Sequence, residues 1–113
     1  MNQDIFNKDL AEIFNFVSDV AIAMRARALK RNFNQHKEDL EVLMLMADSI
    51  HNINMISSAI QIGNREHLLH AVSFHKTVFN SERMQNIFSP LPYVKLNVFL
   101  NTLESIEAKA KAS

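Results

Sequence analysis

Apolar residues recur along this chain in alternating steps of three and four, the spacing that lays a continuous stripe along an α-helix. The first stripe runs through Phe6, Leu10, Ile13, Val17, Val20 and Met24 and predicts a helix from about Asp4 to about Arg31. Its last turns carry Arg25, Arg27, Lys30 and Arg31, cations that suit the negative end of a helix dipole. The first loop is then expected over Asn32-Phe33-Asn34. A second stripe starts near His36, passes through Leu43, Met46, Ile50, Ile53 and Ile60, and stops at Gly63, where glycine makes a left-handed helix end inexpensive. Asn64 suits the N-cap of a third helix with Leu68, Ala71 or Val72, His75 and Phe79 on one face. That helix either breaks at Asn80-Ser81 or continues to Phe88, before Ser89-Pro90-Leu91-Pro92 imposes a loop. The last stripe is Leu96, Phe99, Leu103, Ile106 and Ala110.

Four amphipathic segments with short connections predict an all-α fold, an antiparallel four-helix bundle occupying residues 1–113 as one domain. Composition agrees: Gly 1 and Pro 2 leave few turn residues for a sandwich or barrel. A hydrophobic fraction of 48% with 21% charged residues lies far from the signature of disorder.

The stripes do not absorb all the apolar residues. A bundle helix needs roughly three apolar positions per heptad, and the first helix adds Phe14, Phe16, Ile22 and Leu29 outside its main stripe. The second contains the unbroken run Val42-Leu43-Met44-Leu45-Met46-Ala47. In a monomer such residues leave contiguous apolar surface, which marks an interface. Phe14, Phe16, Ile22, Leu29, Val42, Met44 and Leu45 are therefore the expected partner-binding residues, and a homodimer is expected.

Charge and cysteine content narrow the functional classes. Twelve basic residues balance twelve acidic ones, so no global field steers the protein toward nucleic acid or membrane. Without cysteine there is no disulfide, thiolate metal site or cysteine nucleophile. The segment Met1-Asn2-Gln3-Asp4 has no basic n-region, and Lys8, Asp9, Glu12 and Asp19 interrupt the apolar residues beyond it. Neither a signal peptide nor a membrane span is expected, and the expected location is cytoplasmic. A lone glycine cannot form a phosphate-binding cradle, and the Glu-x-x-His spacing of di-iron bundles does not occur. No cofactor is expected.

Three histidines, His67, His70 and His75, stand on the third helix. Pairing the second and third helices about Gly63 brings His51 level with His75, the basis of an alternative metal- or small-ligand-binding reading. A second alternative rests on Arg31-Asn32-Phe33-Asn34-Gln35-His36, which resembles the arginine–histidine string of HEPN-type helical ribonucleases. Arg65-Glu66-His67-Leu68-Leu69-His70 resembles it more loosely. The resemblance implies a dimer-interface nuclease in which Arg31 or Arg65 holds a phosphate and His36 or His70 serves as general acid or base. The leading expectation is a non-enzymatic helical module that regulates, inhibits or adapts a protein partner, with nucleic acid the less favoured partner.

Overall fold

The computed structural model describes residues 2–30, 37–91 and 93–112, and side chains are described outside residues 27–42. A 3₁₀ turn, Gln3–Phe6, leads directly into α1 (Asn7–Lys30). It is followed by α2 (Lys37–Ile62), α3 (Arg65–Phe79), α4 (Glu82–Phe88) and α5 (Leu96–Ala112). The described residues are all-helical, without strands, and measure 50 × 23 × 21 Å along their principal axes. None of these helices is long and apolar enough to cross a membrane.

The helix ends follow from local chemistry. At the α2–α3 corner, Gly63 adopts φ 78°. Its N–H donates to the Ile60 carbonyl at 3.1 Å while the Asn64 N–H donates to Ala59 at 3.3 Å, the paired bonds of a Schellman end. Asn64 turns at once from terminator to cap, its Oδ1 accepting from the His67 N–H at 3.0 Å. A Cβ at position 63 meets nothing nearer than Gln3 Nε2 at 4.0 Å, so the demand for glycine is conformational and not spatial. Gly63→Ala is expected to cost about 1 kcal/mol in urea denaturation. Gly63→Asn should cost less, because asparagine tolerates the left-handed region.

The third helix breaks at Asn80-Ser81. Ser81 takes an extended conformation, ψ 151°, and its Oγ accepts from the Met84 N–H, opening the short α4. Five helices therefore replace the four segments expected. Met84 and Phe88 of α4 are both buried.

Long-range polar contacts fix the directions of the longer helices. Gln3 Nε2 donates to the Gln61 carbonyl at 2.7 Å, setting the start of α1 beside the end of α2. Lys109 Nζ reaches Asp9 Oδ2 at 2.7 Å, setting the end of α5 beside the start of α1. Arg65 lies at the start of α3 and donates through Nε to the Ala110 carbonyl at 2.8 Å and through Nη2 to Lys111 at 3.1 Å. Those are terminal carbonyls of α5 with no partner inside the helix, so Arg65 is a tertiary cap. Lys76 adds a second α3–α5 tie, 2.8 Å from Glu104 and 3.3 Å from Glu107, and the Glu104 bond foremost holds its ammonium above the ordinary lysine range. Each of α1, α2, α3 and α5 packs against two of the others, in the cycle α1–α2–α3–α5.

The core differs from the expected stripe by a rotation of α1. Phe6, Ile13, Phe16, Val20 and Ala23 are buried, whereas Leu10, Val17 and Met24 are only half-buried. The cause is aromatic. Phe16 stacks on Phe99 with centroids 4.2 Å apart and meets Phe79 and Phe88 edge-on at 5.8 and 5.9 Å. Phe79 and Phe99 close the cluster at 5.0 Å. One ring from each of α1, α3, α4 and α5 thus meets at Phe16, and the predicted surface role of Phe16 gives way to a core role at 4% exposure.

Candidate functional site

Among the described residues, two features combine apolar surface with exposure or depth: a line of apolar side chains on the outer side of α2, and a groove between α2 and α3. In the stripe, Met44, Met55 and Ile62 are spaced by eleven and seven residues. At about 100° per residue they fall within roughly 20° of one another around the helix axis. All three are exposed, Ile62 at 76%. The stripe extends over about 27 Å, at 1.5 Å of rise per residue.

The remaining expected partner residues divide. Phe14 and Ile22 are exposed at 51% and 55% on the side of α1 away from the core. Leu45 is half-buried against the core. The side chains of Leu29 and Val42 lie outside the described residues, as do Arg31 and His36 altogether.

The groove, about 220 Å³, lies between α2 and α3. Asn52 and Met55 form its α2 wall, and His67, His70, Ala71, Phe74 and His75 line the α3 side. The recurrence of positions 67, 70/71 and 74/75 is one helical face. Met55 and Phe74 stand half-exposed at the rim, at 45% and 52%. His75, at 1% exposure, lies deepest.

The chemistry of His75 follows from its hydrogen bonds. Nδ1 donates to the Ala71 carbonyl at 2.6 Å, a group that can only accept. Burial pushes the ring below its ordinary value of 6.5, against the weaker pull of the Ala71 and Asn52 carbonyls. The ring is therefore neutral at pH 7 with its proton on Nδ1, and Nε2 is left as an acceptor. Among the described residues no group hydrogen-bonds that buried Nε2. The Asn52 carbonyl bears on the ring from α2, but a carbonyl has no proton to give.

Two of the expected pairings, His51 with His75 and Arg65 with His70, do not form. His51 is exposed on α2 while His75 is buried, so the two do not share a site. Among the described residues no group of three His, Asp or Glu side chains could hold a metal ion. Arg65 and His70, five residues apart, diverge by about 140° around α3. Arg65 is turned to the end of α5, whereas His70 lines the groove against α2. The guanidinium fork the nuclease reading assigns to phosphate is thus engaged elsewhere. Sequence reasoning missed Asn52 and Phe74 as groove residues; the helical recurrence of positions 67, 70/71 and 74/75 was the available signal. No protein-family model, curated protein or solved structure matches this chain.

Proposed function

We propose that this chain is a non-enzymatic helical interaction module, an antiparallel four-helix bundle of α1, α2, α3 and α5 with α4 as a short insert. It regulates, inhibits or adapts a protein partner and pairs with a second copy of itself through the outer faces of α1 and α2. The observation that supports this most is the line of Met44, Met55 and Ile62, three large apolar side chains aligned on the solvent side of one helix. Scattered apolar residues are ordinary on a protein surface. Aligned side chains give another helix a line to pack against, and here the exposed Asp48, His51 and Ser58 stand between the three on the same face. Phe14 and Ile22 add apolar surface on the neighbouring α1. Zero formal net charge removes long-range repulsion between copies, and the absence of cysteine suits a reducing cytoplasm.

Multi-angle light scattering at micromolar concentration is expected to give the mass of a dimer. Met44→Asp and Ile62→Asp, both at exposed positions, should each weaken association by about tenfold or more, because a carboxylate is desolvated at the contact. A strictly monomeric parent would overturn the pairing with a second copy.

A further inference from the structure

We propose that Met44 and Met55 are the sites of a reversible redox control over pairing, in which a peroxide oxidises their thioethers to sulfoxides and the oxidised chain separates from its copy. This control acts on the α2 surface described above and rests on the pairing reading. The chain offers a peroxide no thiol, since it has Cys 0, so the methionine thioethers are the sulfur an oxidant meets. They are presented unequally. Met44 and Met55 are exposed at 59% and 45%, whereas Met46 and Met84 are buried at 1% and 2% and Met24 is half-buried. Met44 and Met46 stand two residues apart, about 200° around the axis of α2, so one meets solvent and the other the core. Susceptibility follows exposure, which directs oxidation to the surface line and spares the core.

The make-up of that line sets the consequence. Two of its three large apolar members are methionines, and the exposed Asp48, His51 and Ser58 stand between them. Apolar contact along this face therefore depends on two thioethers and Ile62. In the oxidation, a sulfur lone pair attacks one peroxide oxygen and forms the S–O bond. The O–O bond breaks, the peroxide is reduced to water, and the sulfur is oxidised by two electrons. A flexible apolar side chain becomes a polar one. At a pairing surface the new oxygen has to give up water, and an acceptor buried without a donor opposes association. In the free monomer the same oxygen stays hydrated on an exposed helix face, so the fold carries no such penalty. Reversal runs through methionine sulfoxide reductases, with two thiols supplying the electrons, becoming a disulfide, and the oxygen leaving as water.

The test treats the full-length chain with hydrogen peroxide and follows oxygen incorporation by peptide mass mapping, mass by light scattering and helix content by circular dichroism. Expected is oxidation of Met44 and Met55 ahead of Met46 and Met84, an unchanged helical signal, and a dissociation constant raised by about a hundredfold or more. Methionine sulfoxide reductases of both stereospecificities should return the dimer. The double variant Met44→Leu/Met55→Leu keeps apolar side chains of similar volume at two exposed positions. It should pair like the parent and stay paired in peroxide. A parent that is monomeric before any peroxide is added overturns the pairing reading and this control with it. A parent that pairs and remains paired with both sulfurs oxidised overturns the control alone. So do earlier oxidation of Met46 or Met84, loss of helix on oxidation, a dissociation that the reductases do not reverse, or a double variant that dissociates in peroxide as the parent does.

Discussion

Phe16→Ala is expected to lower the unfolding free energy by about 3–5 kcal/mol, the range for truncating a fully buried aromatic ring. A domain of this size has a total stability of about 5–15 kcal/mol, so the loss is a large fraction of what holds the chain folded. It should appear as a fall in Tm of roughly 15–25 °C. The expectation rests on topology as well as area. Phe16 lies 4.2 Å from Phe99 in a stacked pair and meets Phe79 and Phe88 edge-on, so its removal opens a cavity at the junction of four helices. Each such aromatic pair adds about 0.5–1.5 kcal/mol beyond simple burial. Phe14→Ala is the control. It lies two residues away on the same helix but is 51% exposed, against 4% for Phe16. Its expected cost is within about 1 kcal/mol of zero. Equal losses for the two substitutions, measured by urea denaturation, would contradict the placement of Phe16 in the core.

Phe14 and Phe16 also show what the amino-acid order could reveal. Both sit beside the regular stripe of Phe6, Leu10, Ile13, Val17, Val20 and Met24, and periodicity alone treats them alike. They part because the partners of α1 are not symmetrically disposed. Phe79, Phe88 and Phe99 converge from α3, α4 and α5 and draw the buried arc of α1 toward positions 16 and 23. Such information lies 60 or more residues away in sequence. The Gly63-Asn64 corner was legible for the opposite reason, since both the left-handed terminator and the side-chain cap are local. The break at Asn80-Ser81 was ambiguous because Met84, Ile87 and Phe88 preserve helical spacing across it.

The histidines divide along the same line. Position 75 was legible as a buried face residue from its spacing with Leu68, Val72 and Phe79. Its expected partner on α2 was displaced by one residue: Asn52, not His51, lies across from it. One residue along a helix is only about 1.5 Å of rise but about 100° of rotation. That rotation is enough to send an imidazole into solvent and present a backbone carbonyl instead. Arg65 and His70 make a related point. Their five-residue spacing looks like a constellation in a linear string, yet the helix turns one toward α5 and the other toward α2. A pair read from sequence becomes a site only when its spacing matches the helical period.

The same orphaned imidazole predicts how the fold responds to acid. Burial pushes His75 below its ordinary value of 6.5 because a charged ring there is deprived of water, a penalty that outweighs the pull of the Ala71 and Asn52 carbonyls. The unfolded chain therefore binds a proton more readily than the native one in the interval below pH 6.5, and stability must fall with pH there. Above that interval both states are neutral at His75 and its contribution is constant. Each unit by which the native value lies below the unfolded one corresponds to about 1.4 kcal/mol lost by the time both states are protonated. The carboxylates ordinarily titrate near pH 4, beneath the upper part of this window. Every group whose proton affinity changes on folding contributes to a single profile, so one profile does not isolate this ring. The difference between the parent and His75→Phe does. Phenylalanine keeps a ring stacked over Phe79, where His75 now lies at 6.1 Å and 13°, and removes the titrating group. Urea denaturation at pH 7.5, 6.0 and 5.0 should find the variant gaining on the parent at each step down, whichever of the two is more stable at neutral pH. Parallel profiles for the two proteins would mean that His75 carries no protonation penalty in spite of its burial.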